Sequence, residues 1–231
     1  MTVKERHPWY LTPEDALALQ QNLSRKVDLR SHLQGIDKIR SVGGVDVHFS
    51  GDEYFASVTA VVFSFPELRL IEKVKIKKNV GWHFPYVPGL LSFREGPLIV
   101  SAFEKIKKRP DVFLFDGQGI AHPKRMGLAA HMGILFDLPA IGCAKSLLYG
   151  IYEEPVNMKG AWTFLKDGTG ELIGAVLRTR RNVKPLFVSQ GYKIDLELSL
   201  DVVLGCCSKF RIPEPLRIAH SLCKGEKLPR Q

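Results

Sequence analysis

The sequence predicts an α/β fold in which helices cover both faces of a mixed β-sheet. Three extended segments follow one another early in the chain with only short turns between them, which is typical of an antiparallel meander. Further along, helical segments alternate with short apolar strands, which is typical of parallel pairing. The length of 231 residues and a 45% share of apolar residues are sufficient for a sizeable core.

The first elements can be justified in chain order. Thr12 begins a Thr-Pro-Glu-Asp segment that combines an N-cap hydroxyl, a first-turn proline and two acids, and it predicts a helix to about residue 26. Residues 42–49, 54–65 and 68–78 are predicted as the three strands of the meander. In the third of these strands the apolar residues alternate with Lys73, Lys75 and Lys77, so one face of the strand is basic.

The later elements are predicted from apolar periodicity and glycine-rich boundaries. Residues 111–115 are a continuous apolar run that ends in Asp116-Gly117-Gln118-Gly119, as a buried strand does where it meets a glycine loop. The remaining predicted elements are helices at 92–107, 124–137 and 196–207, a short strand at 140–143 and a hairpin at 171–177 and 186–189. Catalytic sites in such sheets gather where strands end beside glycine loops, so Asp116 marks the expected site.

Charge and cysteine content narrow the class of protein. The chain carries 33 Lys and Arg against 24 Asp and Glu, a formal net charge of +9, which predicts an anionic partner, nucleic acid before a membrane surface. No apolar run is long enough for a bilayer span, the first residues lack the apolar stretch of a signal peptide, and no basic amphipathic helix is evident. The four cysteines lack CxxC or zinc-site spacing, which predicts reduced thiols in a cytoplasmic protein.

Three acidic residues are candidate metal ligands. Asp46 lies inside a predicted strand, where aspartate is depleted and a buried carboxylate must be paired, protonated or bound to a metal. Asp116 follows the apolar strand, and Glu95 lies near a predicted helix start. Each has an alternative: Asp46 as a solvent-facing strand residue, Asp116 as an Asp-Gly turn residue, and Glu95 as the partner of Ser92 in a capping box, which the local pattern favours. Together, three carboxylates are a suitable oxygen donor set for Mg²⁺.

Further polar residues are candidates for proton transfer and phosphate contact. His220 has a side chain that could orient or deprotonate a metal-activated water, although a lone histidine on a short helix is more often a surface or core residue. His122 has the same alternatives as His220, although it comes directly after the glycine loop. Lys145 follows a predicted buried strand, where a cation could meet a phosphate, and its alternative is a solvated surface lysine.

The segment from Trp82 to Gly89 combines aromatic side chains with two prolines. Pro85 and Pro88 flank Tyr86 and Val87, which stiffens the backbone and fixes the direction of the tyrosine. A rigid aromatic side chain on a basic surface can wedge between bases after a nucleotide leaves the stack. The alternative is an apolar loop that folds over the core.

These motifs, taken in order, resemble the endonuclease V family. The resemblance is strong from about residue 42 to 145, weaker from there to His220, and specific because six motifs recur together. The motifs are Gly44-Val45-Asp46, Pro85-Tyr86-Val87-Pro88-Gly89, Ser92-Phe93-Arg94-Glu95, Asp116-Gly117-Gln118-Gly119, His122-Pro123-Lys124-Arg125-Met126-Gly127 and Gly142-Cys143-Ala144-Lys145. Two residues depart from the pattern of the family. A valine stands in the motif Pro85-Tyr86-Val87-Pro88-Gly89 where isoleucine is frequent, and Cys143 replaces a commoner valine. Neither change removes a polar group.

The resemblance implies a ribonuclease H-like fold and a nuclease for DNA repair. Its members cut the second phosphodiester on the 3′ side of a deaminated adenine and use Mg²⁺, for which Mn²⁺ can substitute. By motif, Asp46, Glu95 and Asp116 would be the metal-binding acids. His220 would assist at the water or the metal, Lys145 would contact phosphate, and Tyr86 would be the strand-separating wedge. Residues 1–231 are expected to form one catalytic domain, with 224–231 as a flexible tail.

Base recognition can be argued from hydrogen-bonding patterns. Hypoxanthine offers an acceptor at O6 and a donor at N1, whereas adenine reverses both, and guanine adds a 2-amino group. A tight pocket with an N–H for O6 and a carbonyl for N1–H would therefore reject adenine by mismatch and guanine by bulk. Glycine permits close backbone approach, so Gly89, Gly117 and Gly119, together with His122, are predicted to line the pocket. A weak inosine pair also makes flipping less costly.

Two other functions remain open at this point. The chain could be another ribonuclease H-like nuclease, such as a resolvase, a general excision nuclease or an enzyme that cuts inosine RNA. It could also be a nucleic-acid binder without catalysis, but that would predict loss of at least one acid, and all three are present. The expected partner is DNA containing deoxyinosine, with inosine RNA as a second substrate, and the expected assembly state is a monomer.

Overall fold

The computed structural model describes residues 1–51, 53–80 and 84–226. Within them, nine strands form one mixed sheet in the order β3-β2-β1-β4-β5-β9-β8-β7-β6. The strands are β1 (Ser41–Phe49), β2 (Phe55–Ser64), β3 (Leu70–Asn79), β4 (Val112–Phe115), β5 (Ala140–Ala144), β6 (Ile151–Tyr152), β7 (Trp162–Lys166), β8 (Leu172–Leu177) and β9 (Leu186–Tyr192). The helices are α1 (Pro13–Ser24), α2 (Leu91–Phe103), α3 (Leu128–Phe136), α4 (Leu196–Gly205) and α5 (Glu214–Cys223).

The pairing of the strands confirms the predicted meander and the parallel centre. β1, β2 and β3 pair antiparallel in sequence order, and β1–β4 and β4–β5 are parallel pairs. β4 is buried over its whole length, as expected for a central strand with helices on both sides. The ends of β4 and β5 therefore lie side by side, next to the carboxyl-terminal half of β1, and this edge positions the site described below.

Helices cover both faces of the sheet, as predicted. On one face α2 and α3 bury an apolar cluster that includes Phe103, Phe113, Phe115 and Met132. On the other face α4 and α5 cover a cluster that includes Val42, Leu114 and Val203, together with a smaller cluster under α5. Since successive strand residues alternate between faces, even-numbered residues of β1 and β4 point towards the α4 and α5 side. None of the helices in the described ranges is long and apolar enough to cross a membrane.

Some sequence-based boundaries were wrong, each for a local reason. α1 begins as predicted, with the Thr12 hydroxyl accepting from the backbone N–H of Asp15. α2 begins one residue earlier than predicted, with Leu90 at the N-cap, so the Ser92–Glu95 capping box does not form. α3 begins at Leu128 because the chain turns at residues 123–125 and is not helical at 126–127. β6 and β7 were not predicted, since they are short, largely exposed strands at one side of the sheet without a buried apolar pattern.

A pair of buried histidines anchors the N-terminal segment to α3. The Nε2 atoms of His7 and His131 lie 2.7 Å apart, so one ring donates a hydrogen bond to the other, and Trp9 stacks on His131. Burial lowers the pKa of both histidines, and for His131 the nearby His7 lowers it further. Both rings are therefore neutral in the folded protein at neutral pH.

The stability that the two histidines contribute is expected to fall as the pH drops below about 6.5. A histidine whose pKa is lower in the folded state takes up its proton first in the unfolded chain, so its protonation favours unfolding. Thermal denaturation should show a Tm difference between wild type and His131→Gln that shifts by several degrees in favour of the variant between pH 7.5 and 5.5, a relative reduction of the acid penalty that follows because the variant lacks one titrating ring. The matched control is His32→Gln at a largely exposed histidine; an equal reduction by both variants would contradict the assignment.

Candidate active site

Asp46 and Asp116 lie next to each other on neighbouring parallel strands. Val45 is in register with Phe115, so the residues that follow are adjacent, about 4.8 Å apart in backbone spacing, and point towards the same face. Only 11% of the Asp46 side chain and 25% of the Asp116 side chain is exposed. Burial raises the pKa of Asp46, and the neighbouring Asp116 charge raises it further, while His220 acts in the opposite direction. The expected convergence of these two acids is therefore present.

Glu95 approaches the same point from the second turn of α2. Its pKa is raised to about 8, first by burial and then by the negative charges of Asp46 and Asp116, while Arg94 acts in the opposite direction. A carboxyl group destabilised by two other carboxyl groups lies close to both of them. The three acids, which are separated by many residues in sequence, thus share one electrostatic environment at the edge of the sheet.

His220 is oriented by Asp46. Its Nδ1 lies 3.1 Å from Asp46 Oδ2. The thiol of Cys223 also holds α5 against the sheet, because it donates to the carbonyl oxygens of Asp46 and Ser57. If Nδ1 carries the proton, it donates to the carboxylate and leaves Nε2 free to accept one, the arrangement of a positioned general base. Because 43% of the side chain is exposed, His220 is not packed in the core, and its role in proton transfer stays a prediction.

Two cations flank Asp116. Lys145, directly after β5, forms an ion pair with Asp116 through Nζ. Arg211 donates from Nη2 to the carbonyl oxygens of Lys145 and Pro185, at 2.9 and 2.8 Å, and its guanidinium also interacts electrostatically with Asp116. The sequence analysis missed Arg211, since its role depends on contacts with two segments far from it in sequence. It holds the backbone from which the Lys145 side chain extends.

The chemistry of the donor set fits a hard divalent cation, although the acids are not arranged as a ready-made cage. Three carboxylates crowd one partly buried place, and a cation would relieve the repulsion that raises the pKa of Glu95. In the described part of the chain, no group of three or more His, Cys, Asp and Glu side chains has the geometry to hold a metal ion. Lys145 and His220 instead occupy oxygens of Asp116 and Asp46. Metal binding by the three acids stays a prediction.

The aromatic–proline segment divides between core and surface. Phe84 is buried with Phe93, whereas the Tyr86 side chain is 71% exposed. The alternative of an apolar loop over the core thus holds for Phe84, whereas the aromatic side chain between Pro85 and Pro88 projects outwards, and its role as a wedge stays a prediction. Trp82 and His83, which belong to the same sequence motif, lie outside the described residues.

A cavity of about 330 Å³ lies between Tyr86 and the acids. Its size is within the range of small-ligand pockets. The cavity brings together most residues that the sequence predicted for the base pocket, and two that it predicted for catalysis. Its lining includes Tyr86, Pro88, Gly89, Gly117, His122, Asp116 and Lys145.

Gly119 is not part of the cavity wall, contrary to the prediction. It lies behind the wall, where its N–H donates to the Ser189 hydroxyl at 2.8 Å and a Cβ atom would come within 2.0 Å of the Gln190 carbonyl oxygen. Glycine is required there for close packing between the loop and β9. Pro85 is also absent from the lining, because it is exposed beside Tyr86.

His122 supports the cavity wall. Its Nε2 lies 2.9 Å from the Gly89 carbonyl oxygen, and its Nδ1 accepts from the Lys124 backbone N–H at 3.1 Å, so the proton is on Nε2. Burial lowers the pKa of His122, which keeps the ring neutral. Gln20 donates to the same Gly89 carbonyl at 2.9 Å, and Gly89 has φ +86°, a conformation that favours glycine. With both ring nitrogens occupied, His122 positions the turn next to Tyr86.

Two buried polar side chains in the cavity wall have an atom without a protein partner. Gln118 is 7% exposed; its Nε2 donates to the Ser146 carbonyl oxygen at 3.3 Å, but its Oε1 accepts no hydrogen bond. The hydroxyl of Ser92, 1% exposed, is unpaired in the same way. Such groups are costly unless a ligand or water pairs with them. The sequence analysis did not select Gln118, although it stands inside the glycine motif that was quoted.

The chain is similar to one family over nearly its whole length. The family model described as Endonuclease V matches residues 21–221. A protein named Endonuclease V from Dictyoglomus turgidum is 46% identical over 211 residues, 91% of this chain and 89% of that protein. The crystal structure of the Bacillus subtilis Endonuclease V has a TM-score of 0.90 at 35% identity and covers 97% of this chain and 96% of that one.

A further similar structure contains nucleic acid. It is Endonuclease V from Ciona intestinalis in complex with a 24mer DNA that contains an inosine followed by a ribo-adenosine. Its TM-score to this chain is 0.81 at 30% identity, and the match covers 92% of this chain and 96% of that one. The fold of this chain is thus that of solved Endonuclease V structures.

Proposed function

Because the chain belongs to the endonuclease V family, we propose that it is a metal-dependent endonuclease that recognises inosine in nucleic acid and hydrolyses the second phosphodiester on its 3′ side. The observation that carries the proposal is one cavity that joins the exposed Tyr86 to Asp116 and Lys145. If a base is held in this cavity, the nucleic-acid strand that carries the base would pass next to the three acids. The inosine-containing DNA of the Ciona relative supports DNA as the substrate, in a repair reaction.

Asp46, Glu95 and Asp116 hold the divalent cation in this proposal, with Mg²⁺ as the natural ion and Mn²⁺ as a substitute. Bound there, the ion would activate water and stabilise the leaving oxygen. The role of the chain is to supply negative charge at one place, since burial and neighbouring carboxylates disfavour ionisation of Asp46 and Glu95, and a bound cation would offset that cost.

His220 and Lys145 handle the proton and the phosphate. His220, held by Asp46 at Nδ1, accepts a proton from the attacking water at Nε2 or passes one on. Lys145 exchanges its contact with Asp116 for a phosphate oxygen when the substrate binds, and Arg211 keeps its backbone in place. Both steps use contacts that already exist beside the acids.

Tyr86 separates the strands while the base occupies the cavity. Pro85 and Pro88 limit the backbone on either side of the tyrosine, so the exposed ring is presented rigidly. Gly89, Gly117 and His122 shape the wall, and Gly119 packs the loop behind it. The flipped base thus meets backbone and fixed polar groups in a wall that also carries apolar side chains such as Leu91 and Leu128.

We also assign the whole chain to one catalytic domain, because a single sheet joins the strands of the described ranges. The predicted flexible tail lies mostly outside the described residues, which end at 226. The four buried, free cysteines support a reducing compartment such as the cytoplasm. A monomer remains the expected assembly state.

The direct test compares three labelled substrates: a duplex with one deoxyinosine, the same duplex with adenine, and an RNA with one inosine. With Mg²⁺, we expect one nick 3′ to the deoxyinosine and no cut in the adenine duplex. Equal cutting of both duplexes would favour a nuclease of other specificity, and no cutting of any substrate would refute the proposal. Stronger cutting of the RNA would make inosine RNA the preferred substrate.

Gln118 is expected to discriminate inosine from adenine. Its unpaired Oε1 can accept a hydrogen bond from N1–H of hypoxanthine, whereas N1 of adenine is itself an acceptor and would be repelled. Gln118→Leu should lower kcat/KM for deoxyinosine by roughly 10- to 100-fold. The same variant should cause little further loss on 1-methylinosine, which has no N1–H.

The matched control for this prediction is Gln21→Leu, the same change at an exposed position of α1. It should leave kcat/KM for both substrates unchanged. A loss in Gln118→Leu that is equal on deoxyinosine and 1-methylinosine would mean that Gln118 only supports the fold, and the assignment would be wrong.

A further inference from the structure

We propose that an open strip on the meander, formed by His48, Ser57, Lys77 and Phe55, binds the phosphate backbone of the substrate a few nucleotides from the cut. The inference rests on the proposed function, because it takes nucleic acid as the partner. It adds a binding surface outside the cavity and the acids. We call these four residues the meander strip.

Strand register places the strip beside the acids. Asp46, Thr59 and Lys75 lie in one row across β1, β2 and β3, and His48, Ser57 and Lys77 form the next row. Directly paired residues share a face, and so do residues two apart in one strand. Both rows therefore lie on the face that carries Asp46, with Lys77 at the outer edge of the sheet.

Side-chain contacts confirm the orientation of this face. Lys75 Nζ donates to the Leu222 carbonyl oxygen at the end of α5, 2.5 Å away, so this lysine points towards the helix that carries His220. The ammonium of Lys77 lies 5.1 Å from the centre of the Phe55 ring. Lys75 is thus engaged by the helix end, while Lys77 is held over an exposed aromatic ring.

The strip is accessible where α5 ends. The α5 helix covers the inner rows and stops at Cys223, whose thiol contacts the Ser57 carbonyl oxygen. Beyond this point His48, Phe55 and Lys77 are all exposed. The ammonium group of Lys77, held over the Phe55 ring on this exposed face, is complementary to the phosphates of a nucleic-acid backbone.

The spacing fits the same nucleic-acid strand. Two strand spacings and two residues along a strand separate the backbones of Asp46 and Lys77, which is roughly 12 Å. A strand rises about 3.4 Å per nucleotide and also winds around the helix axis, so this distance corresponds to a phosphate about two nucleotides from the one at the acids. The strip would therefore hold one flank of the substrate.

The test measures binding by fluorescence anisotropy with metal chelated, so that no cleavage is needed. Lys77→Glu should weaken Kd for an inosine duplex about tenfold at ~0.1 M salt and reduce the slope of log K against log salt by about 0.9. Lys78→Glu is the matched control, since it makes the same charge change on the opposite face of the same strand. Lys78→Glu should change Kd much less, and equal effects of the two variants would overturn the proposal.

Two shortened duplexes make the test specific to a flank. The first duplex retains only two base pairs on the 5′ side of the scissile bond, and the second retains only two base pairs on the 3′ side. The loss of affinity caused by Lys77→Glu should disappear with one of these duplexes. A loss of affinity that persists with both would also overturn the proposal. Because an unmodified duplex can be used in the same assay, a protein that fails to cut inosine would refute the proposed function and still leave the strip testable.

Discussion

Replacing Asp46 or Asp116 with asparagine is expected to lower kcat for cleavage by at least about 10³-fold. Asparagine keeps the size of the side chain but supplies no negative charge to a hard cation. The two residues lie side by side, Asp46 within β1 and Asp116 directly after β4, so either change removes half of the charge that these two strands present here. Single-turnover cleavage of the deoxyinosine duplex in Mg²⁺ gives the rate, and anisotropy with metal chelated gives the affinity.

The affinity should stay within a few-fold of wild type in both variants, because the base cavity and the Tyr86 wedge are intact. Asp201→Asn is the matched control, the same chemical change at an exposed position of α4. It should leave rate and affinity unchanged. If Asp46→Asn or Asp116→Asn retained more than about a tenth of the wild-type rate, the acids would not be the metal-binding groups.

Glu95→Gln is expected to have two opposite effects. It should lower kcat by roughly 10²- to 10³-fold, because it removes a metal-binding carboxylate. It should also stabilise the metal-free protein at high pH, because burial and the charges of Asp46 and Asp116 disfavour ionised Glu95 and hold its pKa at about 8. A structural glutamate would show the reverse, a loss of stability.

The sign of the pH dependence follows from the raised pKa. In the unfolded chain Glu95 loses its proton near its ordinary pKa of about 4.3, whereas the folded protein retains the proton up to about 8. The stability of the metal-free wild type should therefore fall as pH rises from 5 to 9, and Glu95→Gln should flatten that fall. Urea denaturation at several pH values measures it, with Glu104→Gln at the exposed end of the same helix as control. An unflattened slope in Glu95→Gln would contradict the charge cluster.

Much of the fold could be predicted because the signals are local. The Thr12 cap and the alternation along β3 depend on neighbouring residues, and both appear in the structure. The parallel centre was predicted from the apolar run before Asp116. The carboxyl-terminal half of β1 lies beside the end of β4. Two local strand assignments were therefore sufficient to bring Asp46 and Asp116 together.

The errors share a different cause. Ser92 has the sequence of an N-cap, but the turn at Gly89 with its positive φ leads the chain into α2 at Leu90, so tertiary packing overrides the local preference. Gly119 was assigned to the cavity by composition, whereas its position is decided by Gln190, which is far away in sequence. Arg211 and Gln118 were missed for the same reason. Their roles depend on which distant carbonyl groups and cavity walls they meet.

The most direct test of the central claim replaces one oxygen at the scissile phosphate. A deoxyinosine duplex is prepared with sulfur at a non-bridging position of the second phosphodiester on the 3′ side, as two separate diastereomers. If the three carboxylates hold a cation against this phosphate, at least one diastereomer should be cut more than about tenfold slower than the oxygen substrate in Mg²⁺, and Mn²⁺ should restore its rate. Equal rates in Mg²⁺ for both diastereomers, or a loss that Mn²⁺ does not restore, would contradict a metal ion at the reacting group.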